Sequence, residues 1–167
     1  SQHDIANLQR NTWIPLVKFK FGIFWYWYEK IDNPGLKPVE VYCVSGGHTA
    51  YDREKFLSLG GFDTILKPIY GEDGDICWRA WKKGWKSLIE PKSKVIHKCK
   101  GTMRRFYSNS QLLRIHWKNR FLVTWKDITS KWLLLKHFFF LIPELLICTL
   151  IGKKDFSLGF FSALKQL

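Results

Sequence analysis

The sequence predicts a mixed α/β fold, in which short strands and helices are followed by an apolar helical tail. Three observations support this prediction. A buried-strand pattern ends in Gly46-Gly47, helical spacing runs over 73–83, and apolar residues are nearly continuous from Trp132 to Ile151. A hydrophobic content of 46% over 167 residues is sufficient for one packed domain and excludes a disordered chain.

Turn residues and hydrophobic spacing define the first elements. The cluster IDNPGLKP (31–38) breaks the chain, because proline fixes its own backbone angle and glycine tolerates unusual ones. The stretch VEVYCV (39–44) predicts a buried strand, and a short helix over 52–59 ends at Gly60-Gly61. Residues 1–31 mix aromatic and apolar runs with poor alternation, so helix and strand both stay open there.

Helical spacing dominates the rest of the chain before the tail. A helix over 73–83 is ended by Gly84, and within it Asp75 and Arg79 stand four apart, the spacing of a helix-surface ion pair. Two short extended segments separated by Pro91 follow, and a longer helix is predicted over 109–125.

The tail over 132–151 is long and apolar enough for a helix that crosses a bilayer. Lys136, His137, Pro143 and Glu144 interrupt it, and a charge in the middle of a bilayer is costly. The sequence therefore favours helices that lie in the membrane interface, with a further amphipathic segment over 156–167. Mutual burial of the tail in a homo-oligomer is the open alternative.

Charge and aromatic content indicate an anionic partner. The formal net charge is +13, and aromatic residues, nine of them Trp, make up 17% of the chain. We expect a cytoplasmic protein that is peripheral to the anionic inner face of the plasma membrane. Nucleic acid is disfavoured, because the aromatic residues cluster in apolar runs instead of alternating with Lys and Arg. The four cysteines form no CxxC pair, which gives no support for a zinc ribbon or a disulfide framework.

Three acids, Glu72, Asp73 and Asp75, crowd together in this basic chain. The helix dipole favours acids at a helix N-terminus by roughly 0.3–1 kcal/mol each, and for an isolated cluster this explanation competes evenly with a functional one. Likewise, Gly46-Gly47 on its own indicates a tight turn, and His97 indicates a hydrogen-bonded residue at the edge of a core.

These residues belong to three blocks that occur in a specific order: SGGHTAYDREKFLSLGGFD (45–63), YGEDGDICWRAWKKG (70–84) and IEPKSKVIH (89–97). Together they resemble the C-terminal half of glycosyltransferase family 2. The resemblance is strong over 41–101 and moderate as far as Asn119-Arg120. Enzymes of that family are inverting and have the GT-A fold, so the resemblance implies the acceptor-side half of such a domain.

The resemblance implies a role for each site residue. Asp73 would be the general base that deprotonates the acceptor hydroxyl, an effect typically worth about 10²–10⁴-fold in rate. Glu72 would bind acceptor hydroxyls, and Gly46 and Gly47 would line the site beside it. His97 stands where the family has a ligand for the divalent ion, Mg²⁺ or Mn²⁺, on the donor diphosphate.

The segment from Lys82 to Arg105 is strongly basic, with Glu90 as its single acid. A solvated basic face explains this pattern without any function. Phosphate contacts from Arg104 and Arg105 are the functional alternative.

A complete enzyme of this family also has a nucleotide-binding βαβ half with an Asp-x-Asp motif, and no such motif precedes Gly46. We therefore expect three parts: a connector from that half (1–40), the acceptor-side part of the catalytic domain (41–128) and a hydrophobic, amphipathic tail (129–167). The expected function is that of a fragment of a glycosyltransferase of bacterial polysaccharide synthesis, inactive as an isolated chain. The full enzyme would transfer sugar from a nucleotide-sugar donor to a glycan or lipid-linked acceptor. A non-catalytic module that binds the acceptor or the membrane is the alternative.

Overall fold

The computed structural model describes residues 11–32, 35–93, 95 and 102–167. The predicted mixture of strands and helices is confirmed. The strands are β1 (Asn11–Lys20), β2 (Ile23–Asp32), β3 (Val39–Val41) and β4 (Ser87–Ile89). The helices are α1 (Arg53–Ser58), α2 (Glu72–Lys82), α3 (Asn109–Asp127), α4 (Lys131–Leu150) and α5 (Lys154–Leu164). Within these described ranges, β1 pairs with β2 and β3 pairs with β4, in two separate antiparallel sheets.

The β1–β2 hairpin resolves the segment in which helix and strand both stayed open. Its ladder ends with Lys20 opposite Ile23, so the connection is a two-residue turn of Phe21 and Gly22. Both turn residues have positive φ, 50° and 77°, and this geometry matches the natural twist of paired strands. Ile23 and Phe24 then point into the core, at 2% and 6% exposure.

Helix boundaries follow the capping residues. The side chain of Asp52 accepts a hydrogen bond from the Lys55 N–H (3.0 Å) at the start of α1. Ser108 and Gln111 form a capping box at the start of α3. The predicted helices over 52–59, 73–83 and 109–125 agree with α1, α2 and α3 to within two residues at each end.

The main core forms around α3. It brings together β2, α3 and α5 through seven buried side chains: Ile23, Leu66, Phe121, Leu122, Val123, Phe156 and Ala163. α5 approaches α3 closely at Gly159, where an added Cβ would stand 2.5 Å from the Trp117 Cβ. A second, smaller cluster of Cys43, Ile76 and Cys77 joins the segment after β3 to α2.

One histidine attaches α4 to the rest of the molecule. His137 is completely buried, and its Nε2 accepts a hydrogen bond from the Trp125 indole N–H (2.8 Å). The proton therefore lies on Nδ1, which donates to the Gly22 carbonyl (2.6 Å). Burial lowers the pKa of His137 and so favours this neutral form. The hydrogen bond to Gly22 acts in the opposite direction but is the smaller effect. Among the described residues, α4 is the one helix whose length and composition would let it cross a membrane.

Candidate functional site

A buried side chain of α3 fixes the segment that leads into α2. Asn119 is 1% exposed, and its Nδ2 donates to the carbonyls of Leu66, Ile69 (2.6 Å) and Tyr70 (2.8 Å). Tyr70 and Gly71 then adopt positive φ values of 69° and 98°, so the chain turns sharply into the helix. Glycine adopts this conformation without steric cost. Asn119 thus sets where the first turn of α2 lies.

The carboxylate of Asp73 connects α2 to the glycine turn. Its Oδ2 accepts from the Gly46 N–H (3.3 Å), and its Oδ1 accepts from the Gly74 N–H (2.8 Å). An added Cβ at Gly46 would be 3.6 Å from the Asp73 Cβ, which is an ordinary contact distance. The structure therefore brings Asp73 and Gly46 together, and Gly47 lies in the same short 3-10 turn.

Glu72 precedes Asp73 and differs from it in its bonding. Its Oε2 atom is buried without a hydrogen-bond partner among the described residues. Burial raises the pKa of the Glu72 carboxyl and the neighbouring charge of Asp73 raises it further, while hydrogen bonding to the backbone of Glu72 and Tyr70 acts in the opposite direction. Glu72 also lines a small cavity of about 170 Å³, together with Phe62, Asp63 and Pro68. A buried oxygen with unused bonding capacity can accept a hydrogen bond from a ligand hydroxyl.

Asp75, the third acid, points into the protein. It is completely buried, and its Oδ2 accepts from Arg79 Nε (2.9 Å) and Nη2 (2.6 Å). The ion pair predicted from the four-residue spacing is therefore present, but it is buried instead of lying on the helix surface as predicted. Lys126 of α3 binds the other oxygen of Asp75 and also binds Asp63, whose pKa is lowered by that hydrogen bond. Arg79 in turn donates to the Gly61 carbonyl (2.8 Å), so these bonds tie the GGFD block to α2.

Asp127 is a member of this charged group that the sequence analysis missed. It is 3% exposed, and its Oδ2 has no hydrogen-bond partner among the described residues. Burial, followed by the charge of Asp75, raises the pKa of Asp127 to about 7. Asp127 also ends α3, where the helix dipole disfavours a negative charge. Its burial depends on packing between distant segments, which residue spacing does not encode.

The β1–β2 hairpin supplies an aromatic wall beside the start of α2. The Tyr26 ring lies 3.8 Å from the position that a Cβ on Gly74 would occupy. Next to it, the buried Arg120 guanidinium stands 4.7 Å from the Trp25 ring centroid and 5.0 Å from that of Trp117. Burial lowers the pKa of Arg120 to about 10. Sequence reasoning missed Tyr26, because the poor alternation of the hairpin hid its strands.

A larger cavity of about 480 Å³ lies between α1, α2 and β4. Its walls are mainly apolar and include Tyr51, Phe56 and Trp85. The Tyr51 hydroxyl is buried, with no hydrogen-bond partner in the described ranges. Burial raises the pKa of Tyr51 to about 12, with smaller contributions from Cys77, Asp73 and others nearby. The cavity is also lined by Val44 and Thr49, which flank the glycine turn in the sequence.

The remaining predicted site residues are His97, Arg104 and Arg105. His97, the predicted metal ligand, lies outside the described residues. Arg104 and Arg105 are exposed in a short 3-10 turn, and their phosphate contacts stay a prediction. In the described part of the chain, no three His, Cys, Asp or Glu side chains are grouped to hold a metal ion.

Comparison of the chain with family models, with curated proteins and with solved structures finds no match in any of the three. The functional interpretation therefore rests on the geometry of the site and on the resemblance of the three motif blocks.

Proposed function

We propose that the chain is the acceptor-side portion of an inverting glycosyltransferase with a GT-A-type catalytic domain, and that Asp73 is its general base. One observation carries this proposal. The hydrogen bond between Asp73 and the Gly46 N–H joins two residues that are 27 positions apart in the chain, one in each of the first two motif blocks. The same two blocks carry the resemblance to the family.

The geometry around Asp73 suits a base. Two backbone N–H groups, from Gly46 and Gly74, orient its carboxylate from different directions. In the proposed step, the acceptor O–H gives its proton to Asp73 while the oxygen attacks the anomeric carbon of the donor sugar. The bond from that carbon to the nucleoside diphosphate breaks at the same time, which inverts the configuration. The binding partners are thus a nucleotide-sugar and a glycan or lipid-linked acceptor.

Glu72 is the proposed contact for a second acceptor hydroxyl. Its unpartnered Oε2 supplies the hydrogen-bond acceptor that such a contact needs. The resemblance also implies Mg²⁺ or Mn²⁺ on the donor diphosphate. Among the described residues, no three His, Cys, Asp or Glu side chains are grouped to hold that ion.

The acceptor-binding half of the proposal is tested on the 167-residue chain itself. Saturation-transfer NMR with a panel of glycans and lipid-linked saccharides measures binding. Glu72→Gln is expected to weaken binding by about 10-fold or more, since a hydrogen bond to a charged group contributes about 1.5–3 kcal/mol. Asp73→Asn is expected to retain binding, and the isolated chain is expected to form no product from nucleotide-sugars.

The catalytic half is tested in the longer protein that the resemblance implies. There Asp73→Asn is expected to lower kcat by about 10²–10⁴-fold while acceptor affinity is unchanged. Glu54→Gln, a change of an exposed acid in the first turn of α1, is the matched control. Full activity of the Asp73→Asn enzyme would refute the base role and leave the non-catalytic binding module as the better explanation.

A further inference from the structure

Both sides of α4 are apolar, but the protein covers only one of them. The covered side includes His137, Leu141, Leu145 and Cys148, which pack on the main core and on the side chains around it. The opposite side, called here the outer face of α4, consists of six large side chains at helical spacing, each at least 60% exposed: Trp132, Leu135, Phe139, Ile142, Leu146 and Leu150. A contiguous exposed apolar surface of this kind marks an interaction site.

The outer face cannot be buried by rotation of the helix. Turning α4 about its axis would break the bonds of His137 to the Gly22 carbonyl and to the Trp125 indole, and would leave these groups buried and unpaired. α4 contains 20 residues and is therefore about 30 Å long. A partner of comparable length must cover the outer face.

The charges around this face identify the chemistry of that partner. The single acid of α4, Glu144, is only partly exposed, whereas Lys136 is exposed and its Nζ lies 5.2 Å from the Trp132 ring centroid. The exposed basic residues of α4, of the α4–α5 connection and of the first position of α5 are all lysines: Lys131, Lys136, Lys153 and Lys154. The turn of the β1–β2 hairpin adds Phe21, which is 46% exposed, contacts the Phe140 ring and lies beneath the Lys20 ammonium. Lysines around an apolar, aromatic surface complement anionic lipid headgroups.

We propose that the outer face of α4 docks the protein on an anionic lipid bilayer, with α4 parallel to the membrane plane. This proposal goes beyond the proposed function, and its test does not depend on glycosyl transfer. A spanning orientation would carry α3 and the hairpin turn into the hydrocarbon, because both are bonded to α4 through His137. A symmetric dimer in which the two α4 helices run parallel would set Lys131 and Lys136 beside their own copies.

The contribution of the lysines to membrane binding is measured by co-sedimentation of the full chain with phosphatidylcholine vesicles, with and without phosphatidylglycerol. Binding is expected to need the anionic lipid and to weaken at high salt. The double variant Lys131→Gln/Lys136→Gln is expected to bind anionic vesicles about 30-fold more weakly, at about fivefold for each lysine near the surface. The matched control Lys37→Gln/Lys92→Gln removes two exposed lysines elsewhere and is expected to bind like the wild type.

The contribution of the apolar side chains to membrane binding is measured with the double variant Phe139→Ser/Ile142→Ser. Both positions are exposed, so their replacement leaves the core intact. Binding of the variant is expected to fall by more than about tenfold. The control Leu36→Ser/Leu57→Ser changes two other exposed apolar residues and is expected to retain binding. Circular dichroism spectra and thermal melting show whether each variant is folded.

Three results would overturn the proposal. The first is equal vesicle binding by the outer-face variants and their controls. The second is a stable dimer that Phe139→Ser/Ile142→Ser dissociates, together with no binding to vesicles, which assigns the face to a second copy. The third is protein that stays in the vesicle pellet after alkaline carbonate extraction, which indicates a helix that spans the bilayer.

Discussion

Replacement of Asn119 tests the idea that one buried amide sets the position of the candidate site. Asn119→Ala removes the donor that holds the carbonyls of Leu66, Ile69 and Tyr70 just before α2. The substitution also removes a small side-chain volume and the Asn119 Oδ1 atom, which is buried without a hydrogen-bond partner among the described residues. The expected effect is a less stable chain in which the start of α2 is loosened.

The magnitude follows from the bonds lost. Each intramolecular hydrogen bond contributes about 0.5–1.5 kcal/mol to folding, and a buried group left without a partner costs about 1–3 kcal/mol. Leu66 is 1% exposed, so its carbonyl has little access to water, whereas Tyr70 is 40% exposed and can be solvated. The free energy of unfolding is therefore expected to fall by about 3 kcal/mol, a large part of a typical stability of about 5–15 kcal/mol.

Urea unfolding followed by circular dichroism measures this change. With a urea slope of about 2 kcal/mol per molar, the midpoint of Asn119→Ala is expected to lie about 1.5 M below that of the wild type. Asn119→Asp keeps the shape of the side chain but replaces the donor with an oxygen that faces the carbonyls, so it is expected to be at least as destabilising. Asn109→Ala, at the exposed first residue of α3, is the control. If both Asn119 variants unfold within about 1 kcal/mol of the wild type, the positioning role is wrong.

Two further predictions concern Lys126 and Asp127, the charged residues of α3 that lie near the buried Asp75. Lys126→Met leaves the buried Asp75 with one cation fewer and is expected to cost about 3 kcal/mol in urea unfolding. Lys82→Met, which removes an exposed bond to the Thr129 hydroxyl, is expected to cost less than about 1 kcal/mol, and equal effects would contradict this reasoning. Burial raises the pKa of Asp127 to about 7, so the folded chain binds this proton more tightly than the unfolded chain, and stability falls as the pH rises from about 4 to about 7. Asp127→Asn is expected to reduce this loss of stability with rising pH and to raise the urea midpoint at alkaline pH above that of the wild type. If the stability of the variant depends on pH as that of the wild type does, Asp127 is not the cause of the loss.

The helices were predictable because their signals are local. Asp52 and Ser108 cap α1 and α3 within one residue of the predicted helix starts at 52 and 109, and Gly84 follows the end of α2 with a positive φ of 77°. The β1–β2 hairpin gave no such signal. The partners of its aromatic residues, such as Trp117 of α3 against Trp25, are far away in the sequence and unrelated to strand alternation.

The candidate site shows the same division between local and distant information. The pair of Asp75 and Arg79 could be predicted, since four residues within one helix bring them into contact. Lys126 and Asp127 could not, because they join α2 only through the packing of α3 against it. The resemblance of the motif blocks implied that Gly46 and Asp73 line one site, and no spacing rule within the sequence predicts the hydrogen bond between them.

The three acids at the start of α2 have different environments, and this difference argues against the helix dipole as their only explanation. The dipole would favour Glu72, Asp73 and Asp75 alike, since all three lie in the first turn. Asp75 instead points inward and is saturated by two cations, so it contributes to the fold. Asp73 faces the glycine turn, and Glu72 retains a buried oxygen without a described partner. A purely structural motif would gain nothing from that unpaired oxygen, because an unsatisfied buried acceptor lowers stability. Its retention next to Asp73 is the feature that a bound hydroxyl would explain.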